Sequence, residues 1–306
     1  MTKMVAASCW TESLYPKIKQ AEDFSPDQFY KSQWQKKPGV SIYFLVYRWV
    51  TAALLAVYAV ATIFEKEPLS RPSLVYPKYP IYLTNWVVWM CAVQAMLGTG
   101  IVTFYFQKLR NSKHADAAEA ESILVQNLTK VYWATQTIAI VSSIAVSVVF
   151  WVGVYNPDIN PLNVFTFTSH GLIAAYLVVD ALIVAHPFRL SDFLWVFVFS
   201  ATYIGFSLVY FLLGGTDRFN RNFIYSILDW QDPWSAFLTS AFVILFQLFI
   251  HLVVWCLTYS TRNLAHYLYN KDSPSSPKKV ETVIDIIDTE APPPAVVTAQ
   301  AGNDQK

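Results

Sequence analysis

Four ionisable side chains stand out inside long apolar stretches of this sequence: Arg48, His170, Asp180 and His251. An ionisable group at the centre of a membrane helix costs at least about 2.5–3.5 kcal/mol, so each must be compensated or used. Thr84 heads the second stretch and His170 lies about two turns into the fourth, which places both in the outer half of a bilayer. Their nominal depths differ by roughly 7–8 Å, a gap that helix tilt or a boundary shift of a few residues closes. Brought level, they would be nucleophile and general base, since a threonine hydroxyl attacks poorly until a neighbour takes its proton. Asn85 would then donate a hydrogen bond to the developing oxyanion. The competing reading involves no chemistry: Thr84 bonds the carbonyl of Pro80, and His170 bonds a neighbouring helix.

Arg48 lies about two turns from the inner end of its stretch and Asp180 about one and a half turns from the inner end of its own. Similar depth and opposite charge suggest a helix-to-helix ion pair; the alternative is an arginine that snorkels alone to the headgroups. His251 lies at similar depth and can join this inner layer. One acidic residue in the spans is thin material for a proton relay. The sequence holds no G-x-S-x-G elbow, H-E-x-x-H pair, phosphate loop or dinucleotide fingerprint, so neither cofactor nor metal is expected. Nor do matched halves of the transporter kind appear.

The elements that must position these residues are membrane helices. The chain is 55% hydrophobic and only 14% charged, against about 25% in a soluble domain. Charges cluster between apolar runs long enough to cross about 30 Å of hydrocarbon. The runs are placed at Val40–Phe64, Ile81–Phe106, Asn127–Val154, Leu162–Ala185, Phe193–Leu213 and Trp234–Tyr259. Breakers separate them: Pro68 and Pro72, Asn156-Pro157, Asn160-Pro161, Pro187, Gly214-Gly215 and Pro233. The expected fold is an all-α bundle of six transmembrane helices. Residues 1–39 form an N-terminal arm, 40–265 the membrane domain and 266–306 a disordered tail.

With the N-terminus inside, sixteen lysines and arginines fall on inner segments and five on outer ones, which puts both termini in the cytoplasm. Met1 to Val40 is polar and carries six lysines, so the first span, not a signal peptide, is expected to target the chain. Cys9, Cys91 and Cys256 do not read as a disulfide framework. The tail contains Ser273-Pro274, Ser276-Pro277 and three prolines from Pro292, a composition open to phosphorylation and to a cytoplasmic adaptor, or simply to solvation. No basic stripe suggests nucleic acid; membrane lipids are the expected partners.

Several of these motifs fall in order at helix ends: Phe29-Tyr30-Lys31-Ser32-Gln33-Trp34-Gln35, Tyr47-Arg48-Trp49, Tyr82-Leu83-Thr84-Asn85-Trp86, Tyr155-Asn156-Pro157, and Ile224-Tyr225 through Leu228-Asp229-Trp230 with Pro233. In this set the chain resembles the rolling stone proteins over about residues 24–265. That resemblance implies a multispan product of the plasma membrane, with the endoplasmic reticulum as the second choice, from a family named for an insect protein implicated in myoblast fusion. A more distant likeness is to the androgen-induced transmembrane proteins, which hydrolyse fatty acid esters of hydroxy fatty acids with an intramembrane threonine and histidine. Thr84 follows Tyr82-Leu83 and His170 precedes Gly171 as in that family. The likeness implies a lipid ester substrate and catalytic roles for Thr84 and His170. The rest of the chain and its 39-residue arm depart from that pattern. Two classes therefore remain open: an intramembrane lipid ester hydrolase, and a non-catalytic membrane organiser in cell fusion or adhesion.

Overall fold

The computed structural model describes residues 25–65, 77–111, 123–158 and 162–272. The Ser-Pro pairs, the proline run and Cys9 lie outside the described residues, as does the tail after Asp272. Six helices are long and apolar enough to cross a membrane: α1 (Ile42–Ile63), α2 (Leu83–Asn111), α3 (Ile123–Val154), α4 (Val164–Ile183), α5 (Phe193–Leu212) and α6 (Pro233–Asp272). The protein is an all-α bundle. Among the described residues extended pairing is limited to two isolated bridges, Ser32 with Val184 and Tyr225 with Leu228. α2 and α6 run past the apolar limits, to Asn111 and Asp272. No proline or glycine interrupts either extension, and helical hydrogen bonding does not stop where hydrocarbon does.

α3 is the central helix, packed against α2, α4, α5 and α6, whereas α1 packs chiefly on α2. The outward face of α1 carries Tyr43, Val46, Leu54 and Val57, all exposed. Between α1, α2 and α3 the core is built on small side chains, among them Ala52, Ala59, Ala92, Ala95 and Ala139. Small residues let helices approach closely where hydrocarbon outside offers no hydrophobic drive to pack. Gly98 shows how close: a Cβ there would stand 2.8 Å from Cε2 of Tyr132.

Helix ends follow the chain's breakers. α5 closes on Gly214 at φ 75°, with Gly214 N–H to Phe211 O at 2.9 Å and Gly215 N–H to Tyr210 O at 2.9 Å. These are the paired bonds of a glycine C-cap, where a residue without Cβ takes the left-handed conformation at little cost. α4 begins at Asn163, whose side chain accepts from Thr166 N–H at 2.7 Å.

The other end of α4 is capped by the N-terminal segment. A helix leaves its last carbonyls unpaired, and here Leu182 O accepts from Trp34 Nε1 at 2.7 Å and from Gln33 Nε2. Ile183 O accepts from Gln33 N–H and Ser32 Oγ, each at 2.9 Å. Tyr269 in turn donates its hydroxyl to Gln33 O at 2.7 Å, so the entry segment and the end of α6 meet on one face. This is the face to which the lysine and arginine excess assigns the inner side.

Candidate functional site

The inner polar layer centres on Arg48, 1% exposed, and Asp180, 0% exposed. Arg48 Nη1 lies 3.2 Å from Asp180 Oδ1 and 3.4 Å from Oδ2. Arg48 Nη2 donates to the Tyr132 hydroxyl at 3.0 Å, and Tyr47 donates its own to Asp180 Oδ1 at 2.8 Å. Four helices (α1, α3, α4 and, through Thr99 Oγ1 to Arg48 O at 2.9 Å, α2) are thereby tied at one depth. His251 lies elsewhere: its Nε2 meets Arg189 O at 3.0 Å, and its ring packs against Phe188 and Phe193.

His186, in the α4–α5 turn, extends this layer, and sequence reasoning missed it because a turn histidine carries no mark of burial. It is 6% exposed, stacked on Phe29 of the entry segment at 5.1 Å, with Nε2 3.3 Å from the Tyr132 hydroxyl. Burial, and then the nearby Arg48 guanidinium, push its pKa down to about 3 from 6.5. Above pH 6.5 the ring is neutral whether folded or unfolded and adds no pH dependence. Below it the unfolded chain takes a proton that the folded chain refuses, so stability falls with pH over the window from 6.5 to about 3. The expected slope is up to about 1.4 kcal/mol per pH unit. Thermal unfolding of the detergent-purified chain between pH 7 and 4.5 should show that loss, and His186→Phe should flatten it; an unchanged slope in the variant would assign the acid sensitivity to other groups.

The outer layer is built around two π-helical turns, Phe150–Val154 at the end of α3 and Thr168–Leu172 inside α4. Such turns disturb the regular i to i−4 ladder and concentrate at functional sites. Here the carbonyl of His170 accepts from Ser147 Oγ at 2.5 Å and from Trp151 Nε1 at 2.6 Å. Its imidazole lies flat on Phe150, centroids 3.5 Å apart and planes 4° from parallel. His170 is therefore fixed by a backbone clamp and a ring stack rather than by a carboxylate. It is 9% exposed, and its Nδ1 is buried without a hydrogen-bond partner.

Thr84 sits in the first turn of α2, held by Tyr203 donating to Ile81 O at 2.9 Å. The Pro80 carbonyl is taken by Trp86 Nε1 at 2.7 Å, not by Thr84. Instead Tyr225, from the outer loop before α6, places its phenol in hydrogen-bonding reach of the Thr84 hydroxyl and of the backbone N–H groups of Leu83 and Thr84. Burial is the largest influence on that phenol and raises its pKa, so it stays protonated. Asn85 uses its amide to donate to Tyr79 O at 2.7 Å, leaving one N–H for other use.

Thr84 and His170 line the same two chambers. One, about 100 Å³, is walled mainly by apolar groups of α3, α5 and α6, with Ser200 Oγ bonded to Gln247 Oε1 at 2.7 Å on its far side. The other, about 200 Å³ and polar, faces the outer loop and includes Asn85, Glu65, Arg218 and Arg221. Thr84, Phe150, Val154, His170 and Tyr225 border both, so the hydroxyl and the imidazole stand at the junction of an oily and a wet compartment. Both helices start two residues later than the sequence placed them, α2 at Leu83 and α4 at Val164, so the nominal depth gap is unchanged and it is the shared chamber lining that relates the two side chains. Tyr225 was within reach of sequence reasoning, because Ile224-Tyr225 is one of the motifs that carry the resemblance. The π turns left no such signal. Among the described residues no cluster of His, Cys, Asp and Glu could hold a metal ion.

The sequence profile of the family described as "Protein rolling stone" matches residues 22–279. The curated "Protein rolling stone" of Drosophila melanogaster is 28% identical over 208 residues, covering 67% of this chain and 72% of that protein. No solved structure matches.

Proposed function

The chain belongs to the rolling stone family, and from that premise we propose that its outer chambers form an intramembrane ester hydrolase site acting on a lipid at the plasma membrane. The observation that carries the reading is the position of Thr84 and His170 at the junction of the two chambers, with the imidazole Nδ1 unpartnered. An ester carbonyl lodged there would have its chain on the apolar side and its head on the polar side. Thr84 Oγ1 attacks the carbonyl carbon while His170 takes the hydroxyl proton. The tetrahedral oxyanion is met by the remaining Asn85 N–H or by the Tyr225 hydroxyl. The ester C–O bond breaks and the leaving alkoxide takes the proton from His170. Water from the polar chamber then gives its proton to His170 and attacks the acyl-threonine. The bond from the acyl carbon to Thr84 Oγ1 breaks, Thr84 takes its proton back from His170, and the products are an alcohol and a carboxylic acid, with one water consumed for each ester cleaved.

A fluorophosphonate probe, which reacts with activated hydroxyls, tests this directly. The purified chain should be labelled, Thr84→Ser should keep labelling, and Thr84→Ala should lose it at unchanged expression. Labelling that persists in Thr84→Ala would remove Thr84 from the role. If Thr84→Ala also supports full function in cells while deletion of Arg218–Asp232 abolishes it, the organiser reading replaces this one.

A further inference from the structure

The polar chamber is wet but balanced in charge. Its lining holds two arginines, Arg218 and Arg221, and one carboxylate, Glu65. Arg221 is bound to Asp217, Nη2 to Oδ2 at 2.6 Å and Nε to Oδ2 at 2.7 Å, and Asp217 is 0% exposed. Counting Asp217 with the lining, cations and carboxylates cancel. The other two charges are engaged as well: Glu65 faces Asn163 Nδ2 at 3.4 Å, Arg218 lies over the rings of Tyr82 at 5.7 Å and Phe219 at 4.9 Å, and each makes a further interaction within the protein. The hydrogen-bonding capacity left over is neutral. Asn85 spends one N–H on Tyr79 O at 2.7 Å and keeps its Oδ1 and its second N–H. Tyr82 accepts from the Arg218 N–H at 3.3 Å, which leaves its own O–H to donate. Ser226, exposed on the outer loop, has no protein partner for its hydroxyl among the described residues.

We infer that the ligand of this site is a fatty acyl ester of a small neutral polyol, a monoacylglycerol, with its glycerol head in the polar chamber and its acyl chain entering the apolar one. The inference rests on the hydrolase reading for the fate of the ester, which would yield glycerol and a fatty acid at the cost of one water, but not for recognition of the head. A free hydroxyl of the head donates to Asn85 Oδ1, and its oxygens accept from Tyr82 and Ser226. An anionic head would have to draw on arginines that already have partners, and taking Arg221 from Asp217 would leave a fully buried carboxylate without its counterion. A polyol leaves every ion pair in place. Size agrees: at roughly 30 Å³ for each water, the chamber's 200 Å³ has room for a glycerol head together with the water that hydrolysis consumes. The apolar chamber, at about 100 Å³, takes only the part of the chain nearest the carbonyl, and the remainder stays in the bilayer.

Ether-linked single-chain lipids, which cannot be hydrolysed, separate recognition from chemistry. With the full-length chain in neutral detergent, radiolabelled alkyl ethers of one chain length and glycerol, methyl, phosphate or phosphocholine heads are compared at equilibrium. The glycerol ether is expected to bind at least tenfold tighter than the methyl ether and severalfold tighter than either phosphorylated lipid. Asn85→Leu should abolish the preference for glycerol over methyl. Ser226→Ala, at an exposed position that makes no hydrogen bond within the protein, should cut that preference severalfold while the fold stays intact. Asp217→Asn keeps an Oδ1 for the N–H groups of Phe219 and Arg221 but takes the counterion from Arg221, so the phosphate lipid should bind at least tenfold tighter than it does to the wild type. Equal binding of the glycerol and methyl heads, tighter binding of a phosphorylated head by the wild type, or a Ser226→Ala protein with the wild-type preference would overturn the inference. A folded Asp217→Asn protein that still refuses phosphate would overturn it too, since charge balance would then not set the head. Ester-linked counterparts assayed in parallel keep the two readings apart. Selective binding without turnover sinks the hydrolase and leaves the head site standing; turnover without head preference does the reverse.

Discussion

Replacing Asp180 with Asn is expected to strip the protein from the membrane fraction, and replacing Arg48 with Gln in the same chain is expected to restore most of it. Both partners are buried, at 1% and 0% exposure, with Nη1 3.2 Å from Oδ1. Removing one charge leaves the other in a low-dielectric interior without its counterion, a loss of about 3–5 kcal/mol, whereas removing both leaves only neutral polar groups to satisfy. Arg48 is the more demanding survivor: its remaining partners are the Tyr132 hydroxyl and the faces of Phe44 and Tyr47, at 5.0 and 5.9 Å. Asp180 left alone would keep the Tyr47 hydroxyl at 2.8 Å, so Arg48→Gln by itself should be the milder single variant. Quantified membrane accumulation, together with thermal unfolding in detergent, reads all four proteins. Normal accumulation of both single variants would show that the pair contributes nothing to the fold.

His170→Phe is expected to lower ester turnover by about 10²–10⁴-fold, the range that a positioned general base supplies. Phenylalanine is the informative substitution because it keeps a flat ring against Phe150, where the centroids are 3.5 Å apart. The backbone clamp from Ser147 and Trp151 to the residue 170 carbonyl does not depend on the side chain. The variant should therefore fold and accumulate normally, while fluorophosphonate labelling of Thr84 slows by a similar factor. Turnover within threefold of the wild type in a folded His170→Phe protein would end the base assignment. His170→Ala makes a poorer test, since it also removes the partner of Phe150.

The two layers of polar residues differ in how far the sequence could describe them. Arg48 and Asp180 are so costly in hydrocarbon that depth along each helix nearly suffices to match them, and charge does the rest. Thr84 and His170 are cheap enough to satisfy locally, so depth alone left their relation open by roughly 7–8 Å. His186 and Phe29 were harder still. Neither lies in an apolar run, and only the folding of the entry segment onto the end of α4 buries them together.

The six crossings were determined by the sequence alone, because backbone groups in hydrocarbon must bond within the segment and the length of an apolar run then dictates the helix. The same chemistry set the order of the spans, their breakers and the two depths at which polar groups occur. What the tertiary structure decided was which faces meet. Two π turns set His170 against Phe150 and put it on the chambers that Thr84 lines, and an outer loop brought Tyr225 to the head of α2. Rotation about a helix axis and the path of a loop depend on packing between segments far apart in the chain. A hydrophobic period fixes neither, since a helix surrounded by lipid and protein is apolar on nearly every side.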